Sequence, residues 1–145
     1  MSASFSGMPK DPSPKGFSLQ HELFVVDASL RVPLNEGEKE AIANSLVKAL
    51  LAGLGMKKLG PLQIYPATDL RAPGWTFLQP ITTSHNRGHY FVWPMGDPNI
   101  HIDIYSCASV NWRRAMSVLS RTLPLANWKA TFVRRAWGRW RGGGL

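Results

Sequence analysis

Between residues 76 and 107 the chain reads TFLQPITTSHNRGHYFVWPMGDPNIHIDIYSC, and much of its reactive chemistry falls there. The segment holds His85, His89 and His101, three of the four histidines, and Cys107, the single cysteine. Ser84 and His85 stand side by side at the end of an apolar run. Three chemistries use such residues. A hydrolytic serine needs a base held by a third group, and no G-x-S-x-G elbow surrounds Ser84. A zinc site could draw on His85, His89, His101, Asp103 and Cys107. On strands, however, only residues of like parity share a face, and the spacing matches no usual zinc pattern, so no metal is expected. The third chemistry is self-cleavage of the Thr83–Ser84 bond by the serine hydroxyl.

These residues need a scaffold. Phe17, Leu19, Leu23, Phe24, Val25 and Val26 form a β-prone run, predicting a first strand over roughly 18–26 with Glu22 inside it. Asn35 can cap the following helix, with Glu38 three residues on. Ile42, Leu46, Leu50 and Leu54, flanked by Ala43, Val47 and Leu51, give that helix one broad apolar face, and Gly53 and Gly55 mark its end. Short strands are expected at 59–66, 75–83, 88–93 and 99–106. In the last, Ile100, Ile102 and Ile104 alternate with His101, Asp103 and Tyr105, as in a sheet covered on one side. Cys107 has the parity of the polar face. A second helix over 110–123 carries the stripe Trp112, Met116, Leu119 and Leu123, and Pro124 stops it. A last strand is expected over 128–137. The order β-α-β-β-β-β-α-β predicts an α+β fold, a two-layer sandwich with both helices on one face of a mostly antiparallel sheet.

Composition sets the outer limits. At 145 residues the chain is long enough for one buried core. Residues 1–16, rich in Ser, Pro and Gly, read as a disordered leader; 17–137 read as the folded domain; 138–145 are a basic, glycine-rich tail. No apolar run is long enough to span a bilayer, and the N-terminus lacks the apolar centre of a secretory signal, so a cytoplasmic protein without membrane partners is expected.

The ordered set of motifs resembles the bacterial S-adenosylmethionine decarboxylase proenzymes, the pyruvoyl-dependent enzymes of polyamine synthesis. The matching pieces are Glu22 in LQHELF, Ser84-His85 at a strand end, His89, Trp93-Pro94, IDIYSC at 102–107, and Trp112 opening a helix. The resemblance implies cleavage at Thr83–Ser84, a pyruvoyl group derived from Ser84 as cofactor, His89 as base and Cys107 as the acid that reprotonates the substrate carbon. It also implies Glu22 as a substrate contact, a small amine or amino-acid substrate, and a homodimer or larger assembly. Three departures stand out. Thr83 replaces the family's glutamate, Met95 stands where an acidic residue commonly follows the proline, and the spacing from Ser84 to Trp93-Pro94 is longer. Counting forward from Ser84 puts His89 at the catalytic histidine position; counting back from Trp93 puts Phe91 there. A bulge at Gly88 would keep His89 in place. The substrate implied is S-adenosylmethionine, or a simple basic amino acid if a pocket carboxylate is missing.

Two other readings compete. The net charge of +8 concentrates near the C-terminus, where Lys129, Arg134, Arg135, Arg139 and Arg141 interleave with Trp128, Phe132, Trp137 and Trp140. Cations and stacking rings of this kind suit single-stranded nucleic acid, but no recognised motif accompanies them. The other is a homologue that keeps the fold without cleaving and serves as a binding or regulatory subunit.

Overall fold

The computed structural model describes residues 21–92 and 96–135. The expected leader, the start of the first strand, Trp93-Pro94, Met95 and the basic tail lie outside the described residues.

Strand β1, His21–Leu30, turns every second residue inward, including Phe24, Val26, Ala28 and Leu30. It runs past the expected end at Val26 because Ala28 and Leu30 continue the alternation. Asn35 caps the next element, its Oδ1 accepting the Gly37 N–H at 2.9 Å. A single 3-10 turn, Glu36–Glu38, leads into α1, Lys39–Leu54. The expected face is buried through Ala43, Leu46, Val47, Leu50 and Leu51, with Ile42 and Leu54 at its margin. Each such buried leucine contributes about 1.5–3 kcal/mol. Gly55 ends the helix with φ 65°, a left-handed angle that glycine adopts without steric cost.

The remaining elements are β2 (Gln63–Pro66), β3 (Gly74–Ile81), β4 (Ser84–Val92), β5 (Pro98–Ser106), α2 (Trp112–Thr122) and β6 (Leu125–Arg135). The six strands form one antiparallel sheet in the order β2-β3-β4-β5-β1-β6. Both helices contribute to the single core against its inner face, giving the α+β sandwich that the sequence predicts. On α2, Met116, Leu119 and Leu123 are buried as expected, but Trp112 is 38% exposed, with the Arg113 guanidinium over its ring.

Two local readings are corrected. Strand β4 starts at Ser84, not at 88, because Ile81 pairs directly with Ser84 across a turn of only Thr82 and Thr83. That turn lacks the Asn-Gly or Asp-Gly signal of a tight hairpin, so its closure was hidden in the sequence. Nor is there a bulge at Gly88: the register runs unbroken from Ser84 to Phe91 against β3 and to Val92 against β5. Glycine is needed there for another reason. A Cβ at 88 would stand 2.3 Å from Cε1 of Phe77, whose ring fills that space in the core.

The hairpin divides the strands three and three. β1, β2 and β3 precede the Thr83–Ser84 bond, while β4, β5 and β6 follow it. In the sheet, β1 sits between β5 and β6.

Candidate active site

The register gathers polar groups around the β3–β4 turn. Ser84 lies opposite Ser106, and Ser106 opposite Glu22. The Thr83 carbonyl, the one a Ser84 hydroxyl would attack, accepts the Cys107 backbone N–H at 2.9 Å. The Ser106 hydroxyl donates to Thr83 Oγ1 at 2.9 Å and itself accepts the Ala108 N–H at 3.0 Å. Ser84 alone among the described non-glycine residues has a positive φ, 156°, an angle L residues seldom adopt. The Thr83–Ser84 bond therefore has a polarised carbonyl on one side and an unusual backbone angle on the other.

Ser84 Oγ is 3.2 Å from Nδ1 of His85, the imidazole that touches it. The His85 ring stacks on Tyr105, 5.6 Å between centroids and 15° between planes. Burial holds the His85 pKa below the ordinary histidine value; the Arg87 guanidinium lowers it further and Asp103 partly offsets both. The ring is thus neutral, and able to accept a proton, at neutral pH. The Tyr105 hydroxyl lies 2.8 Å from His21 Nδ1 and accepts from Arg135 at 3.2 Å.

His89 is placed elsewhere. It follows Ser84 by five residues on a regular strand, a separation of about 17 Å. Its Nδ1 pairs with the Thr76 hydroxyl at 2.6 Å, and its cross-strand neighbour is His101. His101 is in turn bonded to Asp27 at 2.5 Å. With no bulge to shorten the path, His89 does not reach Ser84, and His85 is the imidazole that does. Phe91 is farther still along the strand.

Glu22 is close in register but not available. It is 2% exposed; Oε2 accepts the Val110 N–H at 2.6 Å and Oε1 accepts Arg134 Nε at 3.2 Å. Its placement shapes the loop before α2 and does not present a carboxylate to a substrate. Cys107 is a free, half-buried thiol next to the Thr83 carbonyl in the backbone ladder. Of the cations read as a nucleic-acid surface, Arg134 is engaged by Glu22 and Arg135 by Tyr105, and Phe132 packs against the core. Trp128 is half exposed on β6.

The sequence reading gave Tyr105, His21 and Ser106 no part in the site, read Arg135 only as a cation for nucleic acid, and gave His85 no role. Parity places His85 and Tyr105 on polar faces, but only the register shows that they meet.

A solved adenosylmethionine decarboxylase from Aquifex aeolicus superposes with a TM-score of 0.61, covering 88% of this chain and 99% of its own. The fold resembles that of an S-adenosylmethionine decarboxylase. Sequence identity over the match is 16%, so the likeness speaks to architecture. No family model and no curated protein matches the sequence. No helix among the described residues is long and apolar enough to cross a membrane, and no group of three or more of their His, Cys, Asp and Glu side chains is set to hold a metal ion.

Proposed function

We propose that this chain is a self-cleaving, pyruvoyl-dependent decarboxylase of amino-acid-like substrates, with S-adenosylmethionine as the reference substrate. The observation that carries this reading is the state of one peptide bond. The Thr83 carbonyl is held by the Cys107 N–H while the Ser84 hydroxyl sits against a neutral His85 imidazole.

His85 accepts the hydroxyl proton as Ser84 Oγ attacks the Thr83 carbonyl carbon. The Cys107 N–H stabilises the oxyanion that forms. Collapse breaks the Thr83–Ser84 C–N bond, and the amine takes up a proton, leaving an ester between Thr83 and Ser84 Oγ. An imidazole then removes the Ser84 Cα proton, a role that falls to His85 in place of His89. Elimination releases Thr83 as a carboxylate and leaves a dehydroalanine at 84. Its imine tautomer adds water and loses ammonia, which yields the pyruvoyl group.

The site fits that group, since Ser84 supplies its atoms and the surrounding donors are already in place. When present, its ketone draws electrons from the substrate's amine-bearing carbon as carbon dioxide leaves. Cys107, beside the same bond, is the proton donor to that carbon, and Tyr105 fixes the plane of the His85 ring. Assembly as a homodimer or larger, in the cytoplasm, is part of the same reading.

Intact-mass spectrometry of the purified chain after prolonged incubation tests it. Two fragments are expected, 1–83 and 84–145, the second lacking a free amine. A single uncut chain would favour the non-cleaving binding or regulatory homologue.

A further inference from the structure

Through His85, Ser84 is linked on the open face of the sheet to a cluster of hydrogen-bonding groups and one guanidinium. Tyr105 is the hub, contacting His85 through its ring and His21 and Arg135 through its hydroxyl. Arginine can only donate to the phenol, and in either His21 tautomer the His21–Tyr105 pair keeps one spare donor: the imidazole Nε2–H if the phenol donates to Nδ1, the phenol O–H if it accepts from Nδ1. That leaves one spare donor and a guanidinium in a single cluster.

The carboxylates near this cluster are paired with other arginines. Asp103 Oδ2 takes two contacts from Arg87, both at 2.7 Å. Glu22 is buried and saturated by the Val110 N–H and Arg134. Arg135 meets no carboxylate among the described residues; its contact is the Tyr105 hydroxyl. A sulfonium or ammonium group entering here would face a guanidinium that no carboxylate among the described residues neutralises. A carboxylate would find one planar donor fork and the spare donor of the His21–Tyr105 pair, the geometry for which arginine is suited.

We propose that Arg135, His21 and Tyr105 form an anion-recognising subsite, and that the substrate is an amino acid whose side chain ends in a carboxylate. The subsite rests on the decarboxylase reading for its role, though not for its existence. Arg135 is assigned to the side-chain carboxylate rather than to the one that leaves. Holding the departing group would stabilise the ground state against its loss.

Binding and cleavage are measured separately. Calorimetry on the uncut Ser84→Ala chain uses L-aspartate and L-glutamate against S-adenosylmethionine, ornithine and arginine. The acidic amino acids should bind at least about tenfold more tightly than the cations. Arg135→Gln should remove that preference, Arg135→Lys should restore part of it, and Lys129→Gln, at the other end of the sheet, should leave it unchanged. Preference for the cations, or an acidic preference that survives Arg135→Gln, overturns the subsite; so does binding of neither class. Mass spectrometry of the wild-type chain judges the decarboxylase reading alone. Cleavage followed by carbon dioxide release from S-adenosylmethionine but not from acidic amino acids overturns the substrate class and keeps the enzyme. Acidic binding in a chain that never cuts keeps the subsite and removes the enzyme.

Discussion

Two histidine clusters share the open face of the sheet, and they differ in what they stand beside. At one end, Asp27, His101, His89 and Thr76 lie in a row across β1, β5, β4 and β3. It holds an acid–imidazole pair of the kind that often orients a catalytic base, and a groove of about 410 Å³ borders it, lined by Asp27, Asn99, His101, Trp128 and Lys129 among others. At the other end, no acid among the described residues is bonded to His85, whose ring stacks on a tyrosine. Yet His85 touches a serine whose preceding carbonyl is already hydrogen-bonded. Arrangement around one peptide bond, more than the quality of the base, is the reason we propose the Ser84 end as the reactive one.

The sharpest break of this comparison is at the nucleophile. Ser84→Ala should give no fragments at all by intact mass, whereas a persistent cut would place the chemistry elsewhere. Next come the two imidazoles. His85→Ala should slow fragment formation by about 10²–10⁴-fold, the usual contribution of a positioned base. His89→Ala should leave the rate essentially unchanged in a time course on gels, provided circular dichroism shows both variants folded. The opposite result would make the Asp27–His101–His89 row the processing machinery.

Acidity offers a finer cut. Because the His85 pKa lies below the ordinary value, its basic form persists into mildly acidic solution. Cleavage should therefore be flat through neutrality and fall only as pH drops through that lowered pKa. Arg87→Ala removes a cation that lowers the pKa and leaves Asp103 unpaired; both effects raise it. The midpoint of the rate profile should move to higher pH, and a midpoint that stays or moves lower would count against His85 as the titrating group.

Stability separates structural from reactive residues. Gly88→Ala should cost about 1–3 kcal/mol in urea unfolding, since the new methyl meets the Phe77 ring. Asp27→Asn, at a half-exposed pair, should cost under about 1 kcal/mol and leave cleavage intact.

The layer architecture was legible because it is periodic. Leu46, Leu50 and their neighbours repeat at helical spacing, and Ile100, Ile102 and Ile104 alternate, so local sequence alone assigns their faces. The site was legible only in part. Ser84, Thr83 and Cys107 can be picked out by type and order, and the backbone does bring them together. What could not be read was the register. His89 and His85 differ in the sequence by four positions and a choice between bulge and no bulge. The strand pairs without a bulge, and Gly88 instead leaves room for the Phe77 ring on the neighbouring strand. Arg135 and Tyr105 are 30 positions apart and meet only because β1 lies between β5 and β6.

That same placement of β1 changes what a cut chain is. Its ladders run to β5 on one side and β6 on the other, so the first fragment is inserted into the second. Cutting Thr83–Ser84 frees two ends without freeing two bodies, and the pieces should travel together until the whole sheet melts. Assembly before the cut is a first-order event of one molecule. Reassembly afterwards is a second-order encounter of two, so the melting temperature of the processed protein should rise with its concentration while that of Ser84→Ala stays fixed. If the chain cuts itself as proposed, folding comes before cleavage, and a denatured cut molecule regains its shape at a rate set by how crowded its fragments are.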